Sequence, residues 1–277
     1  MMNIRFWWNS FIEVEYKDLT LICDPWVNEI KRGYGWLPDI VYDLKKVHYK
    51  LQSCDYIYIS HIHYDHLDIQ LLKSVKLKKE IQFIIPKLKN KHLLKKLKSL
   101  GEFRITELEP YSSLIIENNL KLILVPQLNT NSDPSNIGID YDMDSSLIII
   151  NNDDGSSFFN TVDNPLSSKN ITTIKQKLNL KSFDLSTLVC GSASQYPQSF
   201  LGINREAEQI KMTTLIYKRC KEKLMTLNSK YFVKAGGEYL IGKKYKNLEK
   251  FKVSLNQELM NKLSSESNSK YIKTTSD

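Results

Sequence analysis

The chain has 277 residues, 42% of them hydrophobic, and a formal net charge of +8. That length allows one large domain or two small ones, and the apolar content is enough for a substantial core. No apolar run reaches the roughly 18–20 residues that span a bilayer, and the first residues lack the pattern of a signal peptide.

The four cysteines are widely scattered and form no Cys-x-x-Cys pair. This scatter is typical of reduced, mostly buried thiols, so a cytoplasmic location is expected. Rieske and zinc-ribbon modules need close pairs of ligands, and the scatter excludes both of them within this sequence.

The N-terminal segment alternates apolar and polar residues and predicts a β-hairpin over residues 11–23. Pro25 ends the hairpin directly after Asp24. Asp24 is either an ordinary turn carboxylate or a residue that orients a metal ligand by a hydrogen bond without binding the metal itself. Residues 27–50 are expected to form a long loop, of the kind that serves as a lid or as a wall against a substrate.

Residues 55–59 are typical of a buried strand, and the next nine residues are Ser-His-Ile-His-Tyr-Asp-His-Leu-Asp. Three of the chain's five histidines fall here, at His61, His63 and His66. Strand alternation aims His61 and His63 the same way, while Asp65 and His66 continue past the turn. Because imidazole and carboxylate groups suit Zn²⁺, Fe²⁺ or Mn²⁺, the pattern predicts a metal site in preference to a polar loop.

The chain then predicts a helix over residues 68–79, a strand over 81–85 and a helix with leucines along one face at 93–100. His92 lies on the polar side of that helix and His48 near the end of the long loop, and neither is expected to bind a metal.

Residues 71–100 also hold ten lysines and one glutamate. They could form a solvated helix face or attract an anionic substrate, membrane or nucleic acid. Aromatic residues are not interleaved with the lysines, which disfavours single-stranded nucleic acid.

Further strands are predicted at residues 105–108, 113–117, 120–125, 146–150 and 158–162, with a hairpin turn at 151–155. Asp163 follows the last of these strands. A carboxylate at this position is either a turn or helix-cap residue or a partner of the histidine loop.

The final third predicts helices over residues 168–178 and 204–227, and strands at 187–190 and from 231 to the glycine turn at 236–237. One domain over residues 1–263 is expected, followed by a polar, disordered tail over residues 264–277.

Five segments, in the same order along the chain, resemble the metallo-β-lactamase-like part of CMP-N-acetylneuraminate hydroxylase: residues 21–26, 55–67, 143–146, 159–163 and 191–200. Ala235 and Gly236 add to this resemblance. More distantly, the chain is similar to the ascorbate-phosphate lactonase and N-acyl-phosphatidylethanolamine phospholipase D branch. The resemblance implies an α/β fold, an αββα sandwich in which two mixed β-sheets pack face to face with helices outside.

The resemblance also implies that His61 and His63 bind one metal ion, and that Asp65 and His66 bind a second. The fold usually supplies further histidines from later loops, but this sequence has none after His92. Carboxylates are the available replacements, and they are Asp163, Asp140, Asp142 and Glu238. Exchanging imidazole for carboxylate favours Fe²⁺ or Mn²⁺ over Zn²⁺, and we expect one well-bound ion with a weaker second site.

The leading functional interpretation is a metal-dependent hydrolase acting on an anionic phosphoester, lactone or sugar nucleotide. Asp65 would orient or deprotonate the attacking water, and Asp163 would bridge the ions or anchor one of them. Tyr196, Gly236 and Gly237 would shape the substrate pocket. A degenerate site that binds metal without turnover is also open.

The first alternative is an iron-dependent hydroxylase. The related hydroxylase has a Rieske domain that this sequence lacks, so the electrons would come from a separate Rieske or ferredoxin protein. The second alternative is a nuclease or nucleic-acid-binding protein, whose affinity would fall steeply with salt. It is disfavoured because the nucleic-acid-processing branches of the family carry extra domains and downstream histidines. The sequence determines neither the substrate nor the oligomeric state.

Overall fold

Two β-sheets lie face to face in a computed structural model that describes residues 2–30, 35–40, 42–128, 144–192 and 194–274. The strands are β1 (Asn3–Trp8), β2 (Phe11–Tyr16), β3 (Leu19–Cys23), β4 (Trp36–Leu37), β5 (Tyr56–Tyr58), β6 (Gln82–Pro86), β7 (Arg104–Leu108), β8 (Ser113–Ile115), β9 (Leu120–Pro126), β10 (Ser145–Asn151), β11 (Ser157–Asn160), β12 (Phe183–Leu188), β13 (Ser229–Lys234), β14 (Leu240–Ile241) and β15 (Lys270–Tyr271). The α-helices are α1 (Leu44–Ser53), α2 (Ile69–Ser74), α3 (His92–Lys98), α4 (Ser168–Leu178), α5 (Arg205–Leu227) and α6 (Gln257–Glu266).

Both sheets are mixed. The N-terminal sheet has the order β1-β2-β3-β5-β6-β7, antiparallel through β3 and parallel from β3 onward. The C-terminal sheet has the order β15-β13-β12-β11-β10-β9-β8, antiparallel from β8 to β11 and parallel beyond β11. Parallel neighbours end at the same edge of a sheet, so the loops after β3 and β5 emerge side by side.

Side-chain alternation explains why the layers form. Cys23 and Tyr58 face the core between the two sheets, together with Leu147 and Phe158 of the C-terminal sheet. Ile57, next to Tyr58, faces the opposite way into a second core against α1, α2 and α3. The outer face of the C-terminal sheet is covered by α4, α5 and α6. Sheets buried on both faces produce the nearly continuous apolar strands of this sequence. The predicted αββα sandwich is confirmed.

Two predicted segments differ from the observed helices. Residues 44–53 form α1, although residues 27–50 were expected to be a loop, because Val47 and Leu51 bury one side of the helix against the N-terminal sheet. The helix expected over residues 68–79 ends at Ser74. Val75 is extended, and the lysines that follow would stand three residues apart in a continued helix, where like charges repel.

The C-terminal prediction was wrong for most of the supposed tail. The helix α6 continues to Glu266, and β15 pairs in parallel with β13 at the edge of the C-terminal sheet. The hydroxyl of Ser269 is buried and donates to the backbone oxygen of Ser229. Ordered structure therefore extends beyond residue 263, because β13 offers an unpaired edge that a short polar strand can satisfy.

The remaining part of the predicted loop is attached to the C-terminal half. The strand β4 pairs with β14, and the centres of the stacked rings of Trp36 and Tyr239 are 4.3 Å apart.

In the described ranges no helix has both the length and the apolar character needed to cross a membrane. All four cysteines are buried, and none of them forms a disulfide bond.

Candidate metal centre

Five chain segments meet at one edge of the two sheets. Asp24 follows β3, the histidine loop of residues 60–68 follows β5, and Asp163 follows β11 after two intervening residues. The strand β10 runs antiparallel to β11, so Asp144, directly before β10, lies at the same edge. Gly236, just after β13, completes the edge. The fold therefore brings residues that are up to 212 positions apart into one site.

The first cluster consists of His61, His63 and Asp144. The Nε2 atom of His61 lies 2.9 Å from Nδ1 of His63 and 3.6 Å from Oδ1 of Asp144. One ligand atom from each residue lies within 4.8 Å of the others. His61 is fully buried and His63 is exposed, so the cluster is open to solvent on one side.

The second cluster consists of His66 and Asp163 and shares His61 with the first. The Nε2 atom of His66 lies 3.3 Å from Oδ2 of Asp163, and the ring centres of His61 and His66 are 4.0 Å apart. Asp65 reaches the same nitrogen, with its Oδ2 atom 3.6 Å from Nε2 of His66. Two neighbouring clusters of this composition could hold two ions.

Two carboxylate oxygens in these clusters have the environment expected of metal ligands. Oδ1 of Asp144 and Oδ1 of Asp163 are both buried and have no hydrogen-bond partner. Buried polar atoms without partners are costly. Oδ1 of Asp144 lies 3.6 Å from Nε2 of His61, and the other oxygen of Asp163, Oδ2, lies 3.3 Å from Nε2 of His66. Gly236 leaves room for Asp163, because a Cβ atom at Gly236 would lie 2.8 Å from Oδ1 of Asp163. The donor set and its unpartnered oxygens fit a divalent transition-metal ion.

A second layer of hydrogen bonds orients the two buried histidines. Asp24 accepts from the backbone nitrogen of Ser60 at 2.7 Å, from the hydroxyl of Ser60 at 2.6 Å and from Nδ1 of His66 at 2.9 Å. Because the one O–H of Ser60 is already donated in the hydrogen bond to Asp24, the oxygen of Ser60 accepts a hydrogen bond from Nδ1 of His61 at 2.9 Å. Both Nδ1 atoms are thus engaged as donors, so Nε2 is the atom that each of the two rings would offer to a metal.

The electrostatics of the site favour a positive charge. Burial lowers the pKa of His66, but Asp65, Asp163 and Asp24 outweigh it and raise that pKa well above its ordinary value. Burial would raise the pKa of Asp163, but His66 outweighs it and lowers the pKa to about 2. Burial and the neighbouring His66 lower the pKa of His61. The carboxylates stabilise one positive charge here, and a divalent cation would make use of the same field.

The remaining candidates make contacts outside the two clusters or lie outside the described residues. Glu238 lies in neither cluster, since its Oε1 atom accepts from Ser254 at 2.8 Å and pairs with Lys234 at 3.0 Å. The hydroxyl of Tyr196 donates to Glu208 on α5. Gly237 packs against the backbone of Gly191. Asp140 and Asp142 lie outside the described residues.

Asp144 and Ser60 are site residues that sequence reasoning did not select. Asp144 was present in the acidic stretch before β10, but Asp140 and Asp142 were preferred to it. The signal was the antiparallel hairpin, because a residue that precedes β10 must lie beside the residues that follow β11. Ser60 had no signal of its own, since its role depends on Asp24 reaching across from β3.

A cavity of about 290 Å³ lies on the outer side of the histidine loop. It is lined by Asn28, Glu29, Ile30, Tyr64, Ile69 and Lys96, among others. Three of these residues belong to the segment that was expected to form a lid or wall. Ile30 and Ile69 are its aliphatic members, and the other side chains of the lining are polar or charged.

Three solved structures share this arrangement of sheets and helices. CmlA, a diiron beta-hydroxylase from Streptomyces venezuelae, matches 99% of this chain with a TM-score of 0.62 and 13% identity, over 53% of its own chain. The isothiocyanate hydrolase from Delia radicum gut bacteria matches 99% of this chain with a TM-score of 0.62 and 14% identity, over 96% of its own chain. YhfI from Bacillus subtilis, a metallo-beta-lactamase fold protein, matches 96% with a TM-score of 0.55 and 12% identity, over 89% of its own chain. The chain has the metallo-β-lactamase fold.

The sequence comparison is narrower. No protein-family model matches the chain. A Mycobacterium tuberculosis protein whose name places it with the Rieske 2Fe-2S iron–sulfur proteins is 33% identical over 89 residues. Those residues are 32% of this chain and 16% of that protein. The chain therefore spans only a small part of this relative and about half of CmlA.

Proposed function

We propose that the protein is a metal-dependent hydrolase that uses an activated water on an anionic substrate. The observation that carries the proposal is the pair of clusters around His61, in which Oδ1 of Asp144 and Oδ1 of Asp163 are buried without partners. The fold is shared with hydrolases such as the isothiocyanate hydrolase, which supports hydrolytic chemistry without identifying the substrate.

Bound metal ions would lower the pKa of a water toward 7 and polarise a scissile carbonyl or phosphoryl group. His61 and His63 would hold one ion with Asp144, and His66 would hold the other with Asp163. Asp24 and Ser60 hold the Nδ1 atoms of His61 and His66, so that the Nε2 atoms of both rings face the carboxylates of the two clusters.

Asp65 is placed to manage the proton of the attacking water. It is buried, and Oδ2 lies 3.6 Å from Nε2 of His66, so it is at the centre rather than at its rim. We assign it the role of orienting or deprotonating the water, and Asp163 the role of bridging or anchoring the ions. Tyr196, Gly236 and Gly237 remain our candidates for shaping the pocket.

An anionic substrate is favoured by charge. Lys96 lines the cavity at the histidine loop together with Glu29 and Asp68, and the lysines of residues 71–100 lie in α2, in α3 and in the segments between them. Most of these ammonium groups are exposed, with Lys87 and Lys91 paired to Glu109 and Glu107. A positive surface raises the local concentration of negatively charged substrates.

The test is a hydrolysis screen on metal-free protein reloaded with Zn²⁺, Mn²⁺ or Fe²⁺. Aryl phosphoesters, lactones and sugar nucleotides are the probes. We expect turnover with at least one metal, and a loss of about 100-fold or more in kcat for Asp65→Asn at unchanged metal content. Glu238→Gln is the matched control, because it changes a carboxylate at the same edge that faces Lys234. Equal losses in both variants would contradict the role of Asp65.

A second candidate is an iron-dependent hydroxylase. The first cluster offers two imidazoles and one carboxylate, His61, His63 and Asp144, a donor set typical of non-haem iron sites with open positions. CmlA, which shares the fold, is a diiron beta-hydroxylase, and the Mycobacterium tuberculosis relative carries an iron–sulfur name. A hydroxylase would need an electron-transfer partner of the Rieske or ferredoxin type.

Metal content separates the two candidates. Protein purified without added metal or chelator would be analysed for zinc and iron, with an optical spectrum taken alongside. Iron together with a spectrum that responds to dithionite and to oxygen supports the hydroxylase. Zinc without visible absorption supports the hydrolase.

A further inference from the structure

A buried chain of hydrogen bonds joins the two sheets directly beneath the candidate metal centre. The hydroxyl of Tyr58, on β5, lies 2.7 Å from the hydroxyl of Ser145, the first residue of β10. The hydroxyl of Ser145 in turn lies 2.8 Å from the backbone oxygen of Ser60. All three residues are at most 1% exposed.

The direction of the protons in this chain is fixed. The backbone oxygen of Ser60 can only accept, so the single proton of the Ser145 hydroxyl is donated to it. The hydroxyl of Tyr58 must then donate to the oxygen of Ser145. Each hydroxyl has one defined partner, and neither can turn away without leaving a buried polar atom unpaired.

The chain connects the two halves of the first cluster through their nearest neighbours. Ser60 directly precedes His61, and Ser145 directly follows Asp144. The two strands belong to different sheets, and no backbone ladder sets the distance between them. The bond from Ser145 to Ser60 therefore sets how far Asp144 stands from His61.

We infer that Ser145 and Tyr58 are positioning residues for the metal ion of the first cluster. They hold Asp144 at the distance from His61 that allows both residues to bind the same ion. This inference rests on the proposed metal centre, but it does not depend on which reaction the centre performs.

A purely structural role explains these hydroxyls less well. The surrounding core is apolar, with Leu124, Leu147 and Ile149 among its members. Hydroxyl groups buried in such a core bring no net gain over apolar groups of the same shape. A phenylalanine and an alanine could fill the same space, but they could not bond the start of β10 to the backbone of Ser60.

The experiment titrates metal-free protein with Zn²⁺ and follows binding by calorimetry. For Ser145→Ala we expect one of the two ions to bind about 10- to 100-fold more weakly, with the other ion unchanged. Tyr58→Phe removes only the outer hydroxyl and should give a smaller weakening of the same ion. Ser145→Thr keeps a hydroxyl and should restore the affinity.

The matched control is Ser229→Ala. Ser229 is an equally buried serine at the start of β13, where its hydroxyl donates to Ser186 at 2.8 Å, at the opposite edge of the sheet. Its loss should lower stability without changing Zn²⁺ affinity. If the Ser145→Ala variant binds both ions with wild-type affinity, or loses no more Zn²⁺ affinity than the Ser229→Ala variant does, the inference is overturned. Wild-type protein that binds no Zn²⁺, Mn²⁺ or Fe²⁺ would instead overturn the metal centre itself.

Discussion

Individual carboxylates decide what this site can bind. Asp144 and Asp163 each lie beside an imidazole nitrogen and each have one buried oxygen without a hydrogen-bond partner, whereas Glu238 is neutralised by Lys234. A carboxylate already paired with an ammonium group has little to offer a cation, although all three residues lie at the same edge of the sheets. The ion pair that each carboxylate makes therefore distinguishes candidate metal ligands from other carboxylates at this edge better than its position in the sequence does.

Replacing either unpartnered carboxylate should remove about one ion per chain. Asp144→Asn and Asp163→Asn keep the size of the side chain but remove the charge that balances the metal. Elemental analysis after equilibration with Zn²⁺ measures the loss, and Glu238→Gln should retain the wild-type content. Full metal content in both aspartate variants would show that neither residue is a ligand.

The metal-free site should also give the protein a pH-dependent stability. The raised pKa of His66 stabilises the fold below about pH 6.5, the ordinary value in an unfolded chain, and this contribution is lost as pH rises through the folded pKa. The lowered pKa of Asp163 stabilises the fold above about pH 3.9, and this contribution is lost as pH falls toward about 2. The joint contribution is therefore largest between these two limits.

Thermal melts of chelator-treated protein between pH 4 and pH 9 test this dependence. The melting temperature of the wild type should fall above neutral pH more steeply than that of His66→Gln. Parallel profiles for the two proteins would contradict the ionised His66.

Among the elements, α2 shows how a helix start is used to fix a functional loop. Asp68 caps α2 by accepting from the backbone nitrogen of Leu71 at 2.9 Å. The same carboxylate accepts from the backbone nitrogens of Val27 and Asn28 at 3.1 and 2.9 Å. The histidine loop and the segment after Asp24 are thereby held together by one buried side chain.

Asp68→Ala should therefore cost more than an ordinary cap. A lost cap costs about 1 kcal/mol, and each further buried hydrogen bond about 1 kcal/mol, so a loss of about 3 kcal/mol in the free energy of unfolding is expected. Asp43→Ala is the control, since Asp43 is exposed and caps only α1, through Lys45 and Lys46. Urea denaturation measures both variants, and equal losses would show that the bonds to residues 27 and 28 add nothing.

Across the whole molecule, the candidate centre joins the two sheets. The histidine loop belongs to the N-terminal sheet, and Asp144 and Asp163 to the C-terminal sheet. An ion held by both sheets binds only the folded state, so it stabilises the protein by mass action.

At a free metal concentration 100 times the dissociation constant, this stabilisation is about 2.7 kcal/mol. For a chain of this size, that corresponds to a rise in melting temperature of roughly 5–10 °C. Scanning fluorimetry with and without Zn²⁺ or Mn²⁺ measures the rise. His92→Ala, which changes an exposed histidine outside both clusters, should show the full rise, and His61→Ala, which changes a residue of both clusters, should show a much smaller one.

The sequence by itself determined many of the elements and half of the site. Individual strands were visible because their apolar patterns follow from local geometry, and the layered fold was implied by the family resemblance of the motifs. The histidine loop was visible because its members are adjacent in the chain and follow a strand. The long helix predicted over residues 204–227 is α5, for the same local reason. Location and substrate stay predictions.

Only the tertiary structure decided the residues that come from elsewhere. Asp144 was selected over Glu238 by the pairing of β10 with β11 and by the position of Lys234, neither of which is a local property. Ser60, Tyr58 and Ser145 meet across two sheets, so no spacing in the sequence signals them. The strand β15 formed from a polar segment because β13 had an open edge. Contacts between distant segments depend on sheet order and register, which local preferences leave undetermined.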